Sequence, residues 1–320
     1  MPHARDRFPR ALCALCAVLA CLATAPRAAW ADAAPDPLNK GVRPYAESGR
    51  VRMDAERVDI VLGAERCRVA ARFAFRNAAD AAETLEVGFP SSYPHEITEV
   101  SVRIDGREVP VRESRELTVS RVQGPSGGLE DREVRTYWVL WDMAFAPGQR
   151  RVVDVGYAFA PSDPGDVVAT PYTAHRFAVV EEFAAMGRSL SAEARAVVAA
   201  IDSRTAGYVL HTGRGWSESI GEAVISAAHP ALGAAALRRI EPMEGAAATP
   251  GGVRWTYHGL EPAFDLSVEY NPRMGLDEEL DLARAAAARH PDSRALRAYL
   301  NALQVMKSAP PWAAPGAKIP

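Results

Sequence analysis

The sequence predicts a mainly β protein: two antiparallel β-sandwich-like units, a small helical insert and a C-terminal α-helical hairpin. Three observations predict it. Apolar and polar residues alternate with period two over residues 45–160 and again over 166–272. The alternating runs are joined by short Gly-, Pro-, Asn- and Asp-containing turns with almost no helix between them. Helical spacing is confined to a stretch near 191–203 and to a tail over 276–307.

The N-terminus comes first. Arg5, Arg7 and Arg10 precede an apolar run from Ala11 to Ala25, and Ala29-Trp30-Ala31 has the small-x-small pattern of a cleavage site before Asp32. Residues 1–31 therefore read as a signal peptide cleaved after Ala31, which makes the protein periplasmic or secreted. Val18-Leu19-Ala20-Cys21 also resembles a lipobox, which would make Cys21 a lipid anchor. Leu19 fits that pattern poorly, and a complete cleavage site lies downstream. Without residues 1–31 the chain has 289 residues, with 33 basic against 39 acidic side chains and a net charge of −6. That balance lacks the basic excess used in nucleic-acid binding. A composition of 48% hydrophobic and 24% charged residues excludes wholesale disorder. No later stretch reaches the ~18 consecutive apolar residues of a membrane span, so no transmembrane span is expected after the signal.

Beyond the signal only Cys67 remains, so no internal disulfide can form. Cys67, Val69, Ala71, Phe73 and Phe75 form an apolar row opposite Arg66, Arg68, Arg72 and Arg76, which predicts a half-buried strand with the thiol inside. Val100, Val102 and Ile104 repeat the pattern, and Asp105-Gly106 supplies a two-residue hairpin turn. Residues 123–131, with Gly124, Pro125, Gly127 and Gly128, read as a loop. Tyr137, Val139, Trp141 and Met143 line the next strand, and Val153, Val155, Tyr157 and Phe159 line another after Pro147-Gly148.

Residues 161–165 read as a linker. Ala194, Val197, Val198 and Ile201 then recur at helical spacing, with Ser191 placed to cap. Strand patterns resume at 208–212, 220–226, 253–257 and 264–270. The pattern leaves open whether the two units are separate domains or halves of one long sandwich. Leu276–Arg289 and Asp292–Lys307 predict two helices broken at His290-Pro291, with Leu296, Tyr299, Leu300, Leu303 and Met306 as one apolar stripe. One hairpin cannot bury its own face, so it must dock on the sandwich or on a partner. Residues 308–320 are Pro-rich and predict a disordered tail.

Catalytic spacings are absent. Gly215-Trp-Ser-Glu-Ser219 lacks the second glycine of a nucleophile elbow around Ser217. His95-Glu-Ile-Thr-Glu99 lacks the second histidine of a zincin. Gly213-Arg-Gly215 lacks the remaining parts of a phosphate cradle. Glu181-Glu182 reads as a polar segment ahead of the insert, and Asp277-Glu278-Glu279 as charge placed on a helix N-terminus. No catalytic residue and no cofactor is expected. The candidate metal ligands are His211 and His258, each opposite an apolar row and able to meet if their strands pair. The candidate binding residues are Trp138 and Trp216. Trp138 faces away from the Tyr137–Met143 row, so it is either covered by the second unit or a stacking platform for a sugar or peptide. Trp216, between Gly213, Gly215 and Gly221, is a hinge, a turn plug or a ligand contact.

Several runs together resemble a known family: Val58-Asp-Ile-Val-Leu62, Phe73-Ala-Phe-Arg-Asn77, Val87-Gly-Phe-Pro90, Val102-Arg-Ile-Asp-Gly106, Trp138 with Trp141, Leu260-Glu-Pro262, and most specifically Thr212-Gly213, Trp216 and Ile220-Gly221. Over about residues 50–270 the chain is similar to the exported bacterial family known as domain of unknown function 4424. The resemblance implies export and a β-rich fold, brings no catalytic residue, and does not cover the helical hairpin. The order of strand motifs also resembles the domain that precedes von Willebrand modules in inter-alpha-inhibitor chains, as architectural analogy. The expectation is an exported bacterial envelope protein acting as a non-catalytic binding or structural module, with an envelope protein or glycan as ligand. The alternative is a periplasmic hydrolase or metal-binding protein with its site in the second β unit.

Overall fold

The computed structural model describes residues 43–44, 49–92, 97–123, 129–162, 171–186, 191–210 and 215–310. The expected signal peptide, Cys21, most of the expected linker, His95, His211 and most of the Pro-rich tail lie outside the described residues, as does the centre of the expected 123–131 loop, whose ends at Gln123 and at 129–131 are strand instead.

The first run of strands is β1 (Arg43–Pro44), β2 (Val51–Val61), β3 (Cys67–Asn77), β4 (Glu83–Ser92), β5 (Ile97–Ile104), β6 (Arg107–Glu108), β7 (Arg112–Gln123), β8 (Leu129–Phe145) and β9 (Arg150–Phe159). Two helices follow, α1 (Pro171–Met186) and α2 (Ala192–Ala200). Then come β10 (Arg204–Tyr208), β11 (Ile220–Ala228), β12 (Leu237–Glu241), β13 (Ala246–Thr249), β14 (Gly252–Leu260) and β15 (Leu266–Tyr270), and last α3 (Leu276–Arg289) and α4 (Arg294–Ser308). The protein is mainly β, with a helical insert and a C-terminal helical hairpin.

Eight strands form one large sheet in the order β13-β14-β11-β2-β3-β9-β5-β6. A four-stranded sheet, β1-β4-β8-β7, and a three-stranded sheet, β10-β15-β12, complete the β part. The two strand runs meet inside the large sheet, where β2 and β11 pair in parallel with Val58 opposite Ile225. A parallel pair needs a long crossover, and here it comprises the rest of the first run together with α1, α2 and β10.

One apolar cluster draws on all three sheets. The four-stranded sheet covers β9, where Phe89 meets Tyr157 at 4.9 Å between ring centres. The three-stranded sheet covers β2 and β3: the Tyr208 hydroxyl donates to Glu56 at 2.5 Å, and the Tyr270 hydroxyl to the Gly63 carbonyl at 2.7 Å. In β3 the alternation holds as the sequence predicts, with Cys67, Val69, Ala71, Phe73 and Phe75 buried and Arg68 and Arg72 exposed. In β2 it breaks. A register shift between Met53 and Ala55 moves the inward set from Val51 and Met53 to Glu56, Val58 and Ile60. Gly221 passes so close to this bulge that a Cβ there would lie 2.3 Å from the Asp54 carbonyl oxygen. At the β5–β6 hairpin, Asp105 (φ 53°) and Gly106 (φ 78°) both adopt the left-handed region that such a two-residue turn requires.

The helices form a second core. Tyr172, Val179 and Phe183 of α1 pack with Ala194 and Val197 of α2, Leu280 and Ala283 of α3, and Leu296, Tyr299 and Leu303 of α4. The helical insert is therefore longer than the 191–203 stretch alone: α1 precedes it, opening with Pro171 at the position where a missing N–H does no harm. Glu181-Glu182 lies inside α1 rather than in a segment before the insert, and Glu182 accepts a hydrogen bond from the Ala295 N–H at the start of α4 (3.1 Å). Ser191 caps α2 as expected, its hydroxyl accepting from the Ala194 N–H at 3.0 Å. The C-terminal hairpin thus finds neighbours for its apolar stripe in α1 and α2. Among the described residues no helix is long and apolar enough to cross a membrane.

Candidate functional site

The two tryptophans lie inside the fold. Trp138 is 0% exposed and forms a small cluster with Leu140 on the far side of the four-stranded sheet from the main core. Those two side chains fill the space left by Gly88, where a Cβ would meet Trp138 Cε3 at 2.7 Å and Leu140 Cδ2 at 2.9 Å. Gly88→Ala is accordingly expected to lose roughly 1–3 kcal/mol through overpacking, read as a shift in denaturation midpoint with a change in tryptophan emission. Trp216 is 4% exposed, its ring 4.3 Å from that of Phe75, and the neighbouring Ser217 N–H donates to the Val51 carbonyl at 2.9 Å. It plugs the end of the sandwich where β2 begins.

His211 lies outside the described residues, so only the strand before it and His258 are placed. β10 pairs with β15, whereas β14, which carries His258, pairs with β11 and β13 in a different sheet. His258 is exposed and faces Glu222 across the β11–β14 ladder, Nδ1 to Oε1 4.0 Å. Among the described residues no three His, Cys, Asp or Glu side chains gather as a metal site.

Three further groups among the described residues are enclosed. Cys67 is fully buried, its Sγ 3.3 Å from the Tyr270 hydroxyl, and burial pushes the thiol above its ordinary range. Because the Tyr270 proton is directed to Gly63, the thiol is the donor in that contact. Glu56 lies at the bulge in β2, and burial lifts its carboxyl to about 7 against the opposing effect of the Tyr208 hydrogen bond.

The third enclosed group joins the two cores. Glu279, in the first turn of α3, pairs with Arg238 of β12 through Nη2 at 2.5 Å and Nε at 3.0 Å. Its other oxygen accepts from Tyr172 of α1 at 2.7 Å and from Tyr299 of α4. Arg238 also donates to the carbonyls of Ala235, Ala236, Leu237 and Met274. Burial first, and then the Glu279 charge, hold the Tyr172 hydroxyl far above its ordinary range, so it stays a proton donor. The acidic triplet 277–279 is thus divided: Asp277 pairs with Lys307 on the surface, whereas Glu279 is an internal clasp.

The outer face of the large sheet is open to solvent. Along one rung Arg57 faces Arg72, Arg72 faces Asp154, and Asp154 faces Arg103. The next rung is built of Asp59, Ala70, Gly156 and Ser101. The small residues floor an open depression of about 370 Å³ rimmed by the three guanidinium groups. Gly156 keeps it low, since a Cβ there would sit 2.9 Å from the Ser101 hydroxyl oxygen. Arg72 holds Asp154 in a fork, Nε to Oδ1 2.6 Å and Nη2 to Oδ2 3.2 Å. Arg57 lies 3.6 Å from Asp59, and Arg103 has no ion-pair partner among the described residues. A second depression of about 350 Å³ lies between α1, α4 and the three-stranded sheet, with Tyr172, Arg238 and Glu269 at its base. The Arg238 donors there are taken up by Glu279 and the carbonyls around it.

No protein-family model matches this chain, and no curated protein does. Among solved structures, the chain is similar to a Legionella pneumophila protein provisionally named a nutrient-binding protein, with 13% identity over 88% of this chain and 92% of that one and a TM-score of 0.49. It is also similar to part of an M1 zinc metallopeptidase from Deinococcus radiodurans, with 10% identity over 70% of this chain and 43% of that one and a TM-score of 0.31. At these values neither neighbour assigns a function to this chain.

Proposed function

We propose that the protein is an exported bacterial envelope protein that acts as a non-catalytic binding module, presenting the outer face of its large sheet to a partner. The observation that carries this reading is the disposition of its reactive groups. Among the described residues, Cys67, Glu56 and the Arg238–Glu279 pair are each buried with a partner from the scaffold rather than gathered with one another as nucleophile, base and oxyanion donor. On the outer face of the large sheet, Arg57, Arg72 and Arg103 rim a shallow depression, which suits surface recognition. The signal-like N-terminus and the resemblance to domain of unknown function 4424 support export.

Two measurements test it. N-terminal sequencing of the secreted form is expected to start at Asp32; a lipid-modified Cys21 at the start would replace the soluble form with an anchored one. A photo-crosslinking residue at position 103 of the exported protein is expected to trap an envelope component in the cell. A folded protein that traps nothing there, or that turns over substrates in peptidase, esterase and glycosidase panels, overturns the reading.

A further inference from the structure

On the outer face of the large sheet, β3 carries Arg68, Arg72 and Arg76, each four residues from the next, with Ala70 and Ala74 between them. At about 3.3 Å per residue this repeat is roughly 13 Å. The alanines keep the stripe low, and Arg57 and Arg103 flank it within the central rung. At one end the charge is neutralised from within. There Arg52, Arg76 and Arg150 share a rung, and Asp54 lies 2.6, 3.3 and 3.8 Å from them in turn. Further along the stripe the compensation is incomplete. Arg57 directly faces Arg72, an arrangement that is unfavourable between like charges. Arg68 and Arg103 have no ion-pair partner among the described residues, and the Arg72 Nη1 donors are free of the Asp154 fork.

We propose that this stripe is a docking site for an extended acidic peptide segment of a partner protein. The register favours that occupant: a peptide strand has the same rise as β3, so carboxylates four residues apart meet successive arginines. The fork that Asp154 already makes with Arg72 shows the carboxylate geometry this surface accepts. Charge complementarity acts in the same direction: although the chain is net −6 beyond residue 31, Arg57, Arg68, Arg72 and Arg103 make this face locally favourable to an acidic partner. Among the described residues lining the depression none is aromatic and able to stack a sugar ring: they are Arg, Asp, Ala, Ser, Val and Gly.

The proposal rests on the binding-module reading and names its partner class. Labelled poly-L-glutamate titrated against the purified full chain is expected to bind, and to weaken as salt is raised. Arg68→Glu with Arg103→Glu, which breaks no ion pair, is expected to weaken binding by about tenfold or more. Arg284→Glu with Arg289→Glu, an equal charge change on α3, is expected to alter it less than about threefold. Unchanged thermal melts establish that both variants are folded. Equal losses in the two variants, or no binding by the wild-type chain, overturn the proposal. So does binding to phosphatidylglycerol vesicles, polyphosphate or polyuronate in place of poly-glutamate. Crosslinking to an envelope component that persists while poly-glutamate fails removes the acidic-peptide assignment and leaves the binding module standing.

Discussion

Glu279→Ala is expected to destabilise the protein by roughly 3–5 kcal/mol, because it leaves the Arg238 guanidinium buried without its counter-charge. The loss has more than one part. The Tyr172 and Tyr299 hydroxyls lose their acceptor inside the helical core, and the Asn271 amide loses a 3.3 Å contact. Removing both charges together, with Arg238→Met and Glu279→Leu, leaves no uncompensated ion and is expected to be clearly less harmful than Glu279→Ala alone. The location of the clasp also predicts which part gives way. Glu279 joins β12 to three helices, while the apolar cores of the sheets and of the helices are separate clusters. In the variant, helical ellipticity is therefore expected to fall at lower urea than tryptophan fluorescence. With Trp312 replaced by Phe in both proteins, the tryptophans of the described residues all lie in the β part, so the two signals report different regions. A loss below about 1 kcal/mol, or coincident transitions shifted together by a small amount, would show that the pair does not hold the helices to the sheets.

Where a local pattern was sufficient, the sequence was readable. The Cys67–Phe75 row, the Asp105-Gly106 turn and the Ser191 cap each depend on a few adjacent residues, and each takes the predicted form. The features that escape it depend on distant chain segments. The β2–β11 pair joins residues more than 160 positions apart, and alternation in each strand carries no information about its partner. α1 hides because alanine and aromatic residues also occupy its outer face; Phe177 is 38% exposed.

The candidate site shows the same division. Trp138 is correctly placed opposite the core row, yet its close approach to Gly88, which pairs with Leu140 in the β4–β8 register, is something no local spacing reveals. The helix-dipole reading of 277–279 holds for charge on the first turn of α3 but cannot single out Glu279, whose partners come from β12, α1 and α4. The arginines of β3 are visible as a polar row from the start. Their alignment with Arg57 and Arg103 needs the strand order of the large sheet.

Glu56 is the clearest case of a residue that alternation misplaces, and it carries the second large prediction. Counted from Val51 and Met53 it belongs outside; the bulge turns it into the core, where Tyr208 donates to it. In the unfolded chain its carboxyl titrates near the ordinary 4.5, and in the folded protein near 7. The folded state therefore binds the proton more tightly, and the neutral carboxyl is the form that fits the core. Below about 4.5 the group is protonated in both states and imposes no penalty. As pH rises from there through 7, folding must either hold the proton or bury a charge, and stability falls until the folded group is ionised. The two values differ enough for a loss of roughly 3 kcal/mol by pH 9. Glu56→Gln keeps the side-chain shape and the acceptor for Tyr208 but cannot ionise. Its stability relative to wild type is thus expected to be near zero or slightly negative at pH 4.5 and to rise by roughly 2–3 kcal/mol by pH 9. Urea titrations of the two proteins at each pH measure the difference directly, and other titrating groups cancel between them. A difference that stays flat from pH 4.5 to 9 would mean that the Glu56 carboxyl keeps its ordinary acidity, and that water or a shift of Tyr208 compensates the charge inside the sandwich.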